Sequence, residues 1–524
     1  IDSKLQNAAE KAVMDGLIAY TERHGYRGPE QRLKVDLTTA KTDAELPNNM
    51  DWLDQVVAPA KVGPLIAGLV LTATPNKAEV LLADGEEIEL QLNGMAWARE
   101  YIEVNKRGAK PLAVDTVLSA GDIIRVRHIK QRNDTDEGNP ADTWHLSQLP
   151  KTQASMTSIR PQDGAILSIV GGLDFKMSKF NRAVQGQRQA GSCFKPFVYG
   201  AALEQGFTAA SIVNDAPVVY DDVTQDEAWR PRNAGDKFKG PIRLRQALYE
   251  SRNLVSIRVA QQIGVKKIID FASRTGLAKN RLSPNLSIAL GTPQFTTAEM
   301  AQAYSTFANG GYRIVPYFIE RVVDNHDKDV FVANPARVCP TDDKAKAGVA
   351  AVGKIKTSKN NKSCDDDTAR AEQVLEPTDL FILNSMMQDV INRGTGRLAR
   401  SLDRTDIAGK TGTTNNEVDA WFCGYHPQLS TSVWVGFDNP APLGRNEYGG
   451  KAALPIWIDY MQQALPGLSK ASIIEPEGIT SIKIDPKTGT PASRGQRNTI
   501  FEYFKTDTMP SEWNDSGQAP SNMP

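Results

Sequence analysis

Long apolar runs are missing from this sequence of 524 residues. A membrane-spanning helix needs about 20 consecutive apolar residues, whereas the longest candidates, 65–72 and 165–173, have only the length of strands. The amino terminus also lacks a signal-peptide pattern, because Ile1-Asp2-Ser3 begins a segment that is already patterned like folded structure. We therefore expect a fragment of a longer protein, with the exporting or anchoring segment elsewhere in the parent chain.

An excess of either charge is also missing. The chain has 61 Lys and Arg residues against 62 Asp and Glu residues, for a net charge of −1. A nucleic-acid-binding protein usually shows a basic excess, so we expect no nucleic-acid partner. The hydrophobic share of 40% and the charged share of 23% are ordinary for a globular protein. At roughly 100–200 residues per domain, the length predicts about three domains.

Cysteine and histidine are scarce, with four and five residues respectively. The cysteines form no C-x-x-C and no zinc-like spacing, so we expect neither a metal site nor a cofactor. Cys339 and Cys364 flank a polar stretch, and they are either two unrelated thiols or a loop-closing disulfide that needs an oxidising compartment. A Ser-His-Asp hydrolase is disfavoured, since no G-x-S-x-G motif is present and no histidine has a suggestive setting.

Hydrophobic periodicity divides the chain into unlike parts. Residues 1–30 show helical spacing that ends near Gly28-Pro29, and residues 1–63 are interpreted as a linker helix with a connecting segment. Residues 64–130 alternate with period two around the hairpin signal Asp84-Gly85, which predicts a small all-β module. Residues 128–145 are charged and turn-rich and predict a loop. A large α/β region follows over 146–465, then a β extension over 466–505 and a disordered tail over 506–524.

Ser192-x-x-Lys195 is the single S-x-x-K in the chain. On a helix these positions share a face, which puts an amine beside a hydroxyl. Serine is a poor nucleophile without a base, and lysine can be that base when burial lowers its pKa. The apolar run that begins at Pro196 sets Lys195 among buried neighbours. Cys193 follows the serine directly, and we expect it to be a small buried apolar residue.

Two further polar motifs carry weight only in combination. Ser251-Arg252-Asn253 is one of three S-x-N triplets, but it interrupts an apolar helical run from Leu244 to Ile263 and so predicts a polar cleft. Lys410-Thr411-Gly412-Thr413 follows an apolar approach and predicts an inner or near-edge strand, where Gly412 allows a ligand to come close to the backbone. The same tetrapeptide recurs at 487–490 after Pro486 and before Pro491, which predicts a solvated turn for Lys487.

The order S-x-x-K, S-x-N, K-T-G resembles class A penicillin-binding proteins, which pair a glycosyltransferase with a transpeptidase. The resemblance extends to Asp419-Ala420-Trp421-Phe422, Pro231-x-Asn233 and Ala308-Asn309-Gly310-Gly311. It implies the α/β (α+β) serine transpeptidase fold of the penicillin-binding/β-lactamase-like kind. The all-β module resembles the OB-like insertion of 1A-type members, and the fragment would lack the glycosyltransferase domain and the membrane anchor.

The resemblance also implies a role for each site residue. Ser192 would attack the penultimate D-alanine carbonyl of a stem pentapeptide, Lys195 would be the general base, and Ser251 would relay a proton to the leaving amine. Asn253 would hold the substrate amide. The terminal carboxylate would face Lys410, Thr411, Gly412 and Thr413, and the backbone N–H groups of Ser192 and Thr413 would form the oxyanion hole.

The resemblance thus predicts a D,D-transpeptidase that binds peptidoglycan stem peptides and is acylated by β-lactams at Ser192. It implies a periplasmic enzyme whose parent protein is anchored in the inner membrane, with cell-wall protein partners at the OB-like module. That module lies outside all three motifs, so we expect it to be dispensable for acylation. Two alternatives stay open: a D,D-carboxypeptidase or other acyl-serine enzyme, and a non-catalytic cell-wall scaffold.

Overall fold

The structure, a computed structural model, describes residues 1–33, 52–56, 58–130, 142–220, 229–339, 364, 368–471 and 474–507. Among these residues no helix has the length and apolar character needed to cross a membrane. The α-helices are α1 Ser3–His24, α2 Arg182–Gln185, α3 Lys195–Glu204, α4 Leu244–Tyr249, α5 Asn253–Ile263, α6 Val265–Arg274, α7 Thr297–Ala308, α8 Pro377–Asn392, α9 Gly449–Ala452 and α10 Leu454–Ala464.

The first nine strands belong to the small amino-terminal module. They are β1 Gln31–Arg32, β2 Lys61–Val62, β3 Leu65–Ala73, β4 Lys77–Leu82, β5 Glu87–Gln91, β6 Tyr101–Glu103, β7 Lys106–Arg107, β8 Asp122–Lys130 and β9 Asp142–Ser147. In the described residues its main sheet runs β1-β8-β3-β4-β5, with β2 against β3 and β9 against β8. The predicted hairpin is confirmed, since β4 and β5 pair around Gly85, whose φ is +89°.

The predicted loop over 128–145 is wrong at both ends. Strand β8 continues to Lys130, and β9 begins at Asp142, opposite Lys130 in the register. The sheet therefore extends past 64–130 on both sides, from β1 to β9. Charged and turn-forming residues hid these strand ends because a β-strand with one solvated face tolerates polar side chains there. Residues 131–141 lie outside the described part of the chain.

The remaining strands belong to the large region and the carboxyl-terminal hairpin. They are β10 Gln153–Ile159, β11 Ile166–Val170, β12 Arg188–Gln189, β13 Ile212–Asp215, β14 Gly240–Arg243, β15 Gln294–Phe295, β16 Tyr312–Arg313, β17 Arg321–Val323, β18 Asp329–Val332, β19 Glu372–Gln373, β20 Ala408–Thr413, β21 Asp419–His426, β22 Leu429–Gly436, β23 Ile479–Ile484 and β24 Ile500–Lys505. In the described residues a five-stranded sheet runs β11-β10-β22-β21-β20.

Helices cover both faces of this five-stranded sheet. Trp421, Cys423 and Tyr425 of β21 point into one core with α3, α5, α7 and α8, while Phe422 points into a second core with α1 and α10. This alternation along one strand is the period-two pattern of a sheet that is buried on both faces. Strand β20 ends the sheet as its edge strand, so the prediction of an inner or near-edge position is corrected to the edge itself.

Helix α1 packs against both the large region and the small module. It begins at Ser3, with the Asp2 carboxylate accepting a hydrogen bond from Leu5 N at 3.0 Å, and it ends at His24 before Gly25, whose φ is +102°. The helix was predicted to end near Gly28-Pro29, so the observed helix is about four residues shorter than the prediction. The apolar face of α1 packs so closely on α10 that a Cβ at Gly16 would overlap Ile456.

Two cysteine predictions have clear outcomes. Cys339 and Cys364 are joined by a disulfide, which decides between the two alternatives left open by the sequence. Cys193 is fully buried, as predicted, and its thiol lies 3.1 Å from the carbonyl oxygen of Lys410. The predicted tail over 506–524 lies outside the described residues from 508 onward.

Candidate active site

Ser192 lies in a tight turn that enters helix α3. Gly191 adopts φ +53°, and a Cβ there would lie 2.7 Å from the Thr413 carbonyl oxygen, so only glycine fits beside strand β20. Gly191 N donates to Gly291 O at 3.0 Å, and the Tyr304 hydroxyl donates to Cys193 O at 2.7 Å. These contacts fix the backbone on both sides of Ser192, whose own side chain is half-buried.

Lys195 begins helix α3 and is fully buried among apolar residues, as the sequence predicts. Its amine is 2.7 Å from the carbonyl oxygen of Ser251, 3.3 Å from Ser251 Oγ and 2.7 Å from Asn253 Oδ1. Burial lowers the pKa of Lys195 well below its ordinary value, and the nearby cations Lys410 and Arg252 lower it further, against the opposing effect of Asp215. The lowered pKa favours the neutral amine, which is the form that can accept a proton.

Ser251 lies in the break between helices α4 and α5, which confirms the predicted interruption of the helical run. Its φ of +59° is the left-handed region, which is strained for a residue with a side chain. The adjoining residues are held firmly: Arg252 donates to Asp215 at 2.6 and 2.8 Å, and Asn253 N donates to Asn233 Oδ1 at 2.9 Å. The break therefore has a fixed geometry that points Ser251 and Asn253 at Lys195.

Lys410 approaches Ser251 from the opposite side. Its amine donates to Ser251 Oγ at 2.9 Å and to Thr411 O at 3.0 Å. Burial lowers the pKa of Lys410 to about 8. Gly412, two residues along, faces the turn before Ser192, because a Cβ there would lie 2.5 Å from Ala190 O and 2.9 Å from Cys193 Sγ. The three motifs predicted from the sequence thus meet at one place, around Ser251 Oγ.

The remaining predicted residues of β20 are held by groups that the sequence did not single out. Thr411 Oγ1 is 2.6 Å from Thr395 Oγ1, and Gly449 N donates to Thr413 Oγ1 at 3.1 Å. Thr395 lies between Gly394 and Gly396, just after the end of helix α8. Asp215 and Gly449 carried no signal at all in the sequence, because each acts through a partner that is distant in the chain.

The second Lys-Thr-Gly-Thr copy lies elsewhere, as predicted. Asp485 to Thr490 form a turn in which Gly489 N donates to Asp485 O at 2.9 Å, and Ile484 pairs with Pro491. Lys487 is exposed in this turn between β23 and β24. The two identical tetrapeptides therefore adopt a buried edge strand in one place and a solvated turn in the other. The second copy is distinguished by its flanking prolines, Pro486 and Pro491.

Comparison with known families agrees with this geometry. A family model described as the penicillin-binding protein transpeptidase domain matches residues 154–462, which is more than half of the chain. This chain belongs to the penicillin-binding protein transpeptidase family. A second model, described as the penicillin-binding protein OB-like domain, matches residues 26–152 and contains the whole small sheet.

Individual relatives extend the likeness of this penicillin-binding protein to nearly its full length. Penicillin-binding protein 1A of Pseudomonas aeruginosa is 43% identical over 532 residues, which cover 98% of this chain and 62% of the relative. The 2.6 Å crystal structure of penicillin-binding protein 1A from Haemophilus influenzae is 33% identical with a TM-score of 0.81, covering 98% of this chain and 72% of that one. The chain thus spans less than two thirds of the curated relative.

A more distant relative has been solved with a ligand. The PonA1 protein of Mycobacterium tuberculosis, in complex with penicillin V, is 27% identical with a TM-score of 0.50, covering 63% of this chain and 82% of that one. The likeness is confined to part of the molecule. It shows that the transpeptidase fold of this penicillin-binding protein is shared with a protein that binds a β-lactam.

Proposed function

We propose that this chain is a D,D-transpeptidase that cross-links peptidoglycan stem peptides through an acyl-enzyme at Ser192. The observation that carries the proposal is the meeting of two lysine amines at one hydroxyl: Lys195 Nζ and Lys410 Nζ lie 3.3 and 2.9 Å from Ser251 Oγ. This arrangement joins the S-x-x-K helix, the S-x-N break and the K-T-G strand in a single polar cluster within an apolar core. The cluster supplies a base, a relay and a fixed cation.

Acylation would proceed with these groups in distinct roles. Ser192 Oγ attacks the carbonyl carbon of the penultimate D-alanine while neutral Lys195 takes the hydroxyl proton. The backbone N–H groups of Ser192 and Thr413 stabilise the oxyanion. The peptide C–N bond then breaks, and Ser251 passes a proton to the amine of the leaving D-alanine while it takes one from protonated Lys195. An amine of a second stem peptide then attacks the ester, Lys195 takes a proton from that amine, and the proton returns to Ser192 Oγ as the ester C–O bond breaks.

The relay role is supported by the number of donors on a neutral amine. Neutral Lys195 has two N–H bonds and one lone pair. The two 2.7 Å contacts, to Ser251 O and Asn253 Oδ1, use both donors. The lone pair is then left to take the Ser192 hydroxyl proton. Once protonated, Lys195 has a third N–H that can donate along the 3.3 Å contact to Ser251 Oγ, which also accepts from Lys410 at 2.9 Å. A proton can therefore move from Lys195 to Ser251 as Ser251 gives its own proton to the leaving amine.

Recognition of the donor peptide falls to the edge strand. Lys410, Thr411 and Thr413 would face the terminal carboxylate, with Gly412 leaving room for the substrate backbone, and Asn253 would hold the substrate amide. Edge strand β20 can pair with an extended peptide on its outer side. β-Lactams would acylate Ser192 in the same cleft, in line with the penicillin V complex of the mycobacterial relative.

The wider biological setting is part of this proposal. The curated relative extends well beyond the aligned region, which supports a parent chain that also carries a glycosyltransferase domain and an inner-membrane anchor. The Cys339–Cys364 disulfide supports an oxidising location such as the periplasm. We keep the division into 1–63, 64–130, 146–465, 466–505 and 506–524, and the role of the OB-like module in binding cell-wall proteins, as proposals.

A product assay tests the function against its alternatives. The chain is incubated with a peptide ending in D-Ala-D-Ala and a labelled acceptor amine, with Ser192→Ala as the control. A transpeptidase releases D-alanine and incorporates the label. Release of D-alanine with water as the sole acceptor would instead indicate a carboxypeptidase. A folded protein that gives neither product would indicate the scaffold alternative.

A further inference from the structure

The segment from Leu443 to Gly449, called here the bridging segment, connects the cleft to two other parts of the chain. It ends at Gly449, whose N–H donates to Thr413 Oγ1 at 3.1 Å. A Cβ at Gly449 would overlap the carbonyl oxygens of Gly412 and Trp421, so this backbone lies directly on the end of strand β20. Any shift of the bridging segment therefore reaches Thr413, whose backbone N–H is the proposed oxyanion donor.

Helix α1 holds the bridging segment from one side. The Tyr20 hydroxyl donates to Leu443 O at 2.6 Å, in a buried position. Arg23 makes two hydrogen bonds with the Glu447 carboxylate, at 3.2 and 2.9 Å, and Lys451 is 2.9 Å from the same carboxylate. Burial alone would raise the pKa of Glu447, but its bonds to Arg23 and Lys451 outweigh burial and the pKa is lowered. Glu447 is thus a buried anion with two cationic partners.

The OB-like module also contacts the bridging segment, through residues other than those that contact helix α1. The turn between β6 and β7 contains Asn105, and its Oδ1 accepts a hydrogen bond from Arg445 N at 2.6 Å. Gly444, with φ +117°, lies in the narrow space between His24 and Val104. The module therefore contacts the catalytic region within a few residues of Gly449, which the expectation of a dispensable module did not anticipate.

We propose that Glu447 is a positioning residue for acylation, through which helix α1 sets the place of Gly449 against Thr413, beside the contact of the OB-like module with Arg445. The inference rests on the proposed function of Ser192 and adds a route by which parts outside the three motifs control it. Since the affected backbone bears the proposed oxyanion donor of Thr413, the interaction acts in the transition state. Its loss should slow the acylation step and leave initial binding of the β-lactam nearly unchanged.

The experiment measures acylation by a fluorescent penicillin in single-turnover mode, separating the maximal rate k2 from the binding constant K. Arg23→Gln, Glu447→Gln and the double variant are compared with wild type. Removing one oxyanion donor costs ~100-fold or more, and displacing one should cost less, so we expect k2 to fall roughly 5–10-fold with K changed less than twofold. The double variant should be no slower than the slower single variant, because both act through one contact.

A matched control separates positioning from general destabilisation. Arg160 and Asp163 form a similar two-bond pair, with side-chain exposures of 28% and 6% against 33% and 2% for Arg23 and Glu447, but they lie at the opposite edge of the sheet. Arg160→Gln should leave k2 unchanged. If a Gln variant does not fold, Arg23→Lys keeps the charge and should retain most of k2.

The outcomes distinguish this proposal from the proposed function. Unchanged k2 in folded Arg23→Gln and Glu447→Gln, with labelling still at Ser192, would overturn the positioning role alone. A fall in k2 that Arg160→Gln reproduces, or that matches the unfolded fraction measured by thermal denaturation, would also overturn it. Labelling that survives in Ser192→Ala would instead overturn the proposed function.

Discussion

Lys195 and Lys410 are two buried lysines that share one hydroxyl, and their surroundings lower the pKa of the two amines by different amounts. The pKa of Lys195 is lowered further than that of Lys410, because the positive charge of Lys410 adds to the effect of burial. Burial lowers the pKa of Lys410 as well, to about 8. The neutral form is therefore favoured more strongly at Lys195 than at Lys410, which is the division that the proposed roles of base and carboxylate-binding cation require.

This difference predicts a pH dependence for acylation. Because the pKa of Lys410 is lowered to about 8, its positive charge is lost as the pH rises through that value. The acylation rate with a carboxylate-bearing β-lactam should therefore fall above pH 8. Lys410→Arg keeps the charge at higher pH and should remove this alkaline decrease. A decrease that persists unchanged in Lys410→Arg would mean that another group causes it.

The two Lys-Thr-Gly-Thr copies provide a matched pair of substitutions. Lys410→Ala removes a buried cation that donates to Ser251, and we expect a fall in acylation rate of at least about 100-fold, the usual weight of a positioned catalytic group. Lys487→Ala removes an exposed side chain in a turn and should change the rate less than twofold. Both rates come from the same stopped-flow labelling assay. The reverse ranking would show that the cleft has been assigned to the wrong copy.

At the scale of elements, the break between α4 and α5 was predictable and its geometry was not. Ser251 and Asn253 signalled an interruption because short polar residues are disfavoured inside helices. The left-handed backbone of Ser251, and the ion pair of Arg252 with Asp215 that supports it, depend on residues far apart in sequence. Strand β20, in contrast, was predicted from the sequence, since the apolar approach to Lys410 is a local signal.

The strained backbone of Ser251 predicts a trade between stability and activity. Glycine adopts positive φ without penalty, so the free energy of unfolding of Ser251→Gly should exceed that of Ser251→Ala by about 1 kcal/mol, the usual cost of such strain. The same change removes the hydroxyl that contacts Lys195 and Lys410, so acylation should slow. Ser251→Ala is the control, because it loses the hydroxyl and keeps the strain. Chemical denaturation and penicillin labelling measure the two effects, and equal stability of the two variants would contradict the role of strain.

At the scale of the whole molecule, buried ion pairs attach the carboxyl-terminal hairpin of β23 and β24 to the transpeptidase region. Glu502 of β24 is nearly inaccessible and accepts hydrogen bonds from Arg243 and Arg245, and Arg245 also pairs with Asp389. The sequence predicted a β extension here, but it could not predict the docking. An acidic residue on a strand gives no local sign that its partners lie more than 250 residues earlier.

Glu502→Gln should therefore destabilise the protein strongly. The substitution leaves two buried guanidinium groups with one anion fewer, and breaking a buried ion pair in this way costs about 3 kcal/mol. The free energy of unfolding from urea titration measures the loss. Glu89→Gln, in an exposed pair with Lys77, is the control and should have no measurable effect. A similar result for the two variants would mean that the hairpin is only loosely attached.

Covalent labelling by a β-lactam tests the central claim most directly, because it examines reaction and site together. The folded protein is treated with penicillin, and intact mass and peptide mass spectrometry locate the adduct. The account predicts a single penicilloyl group on Ser192 and none on folded Ser192→Ala. An adduct on another residue, or one that persists in Ser192→Ala, would contradict it.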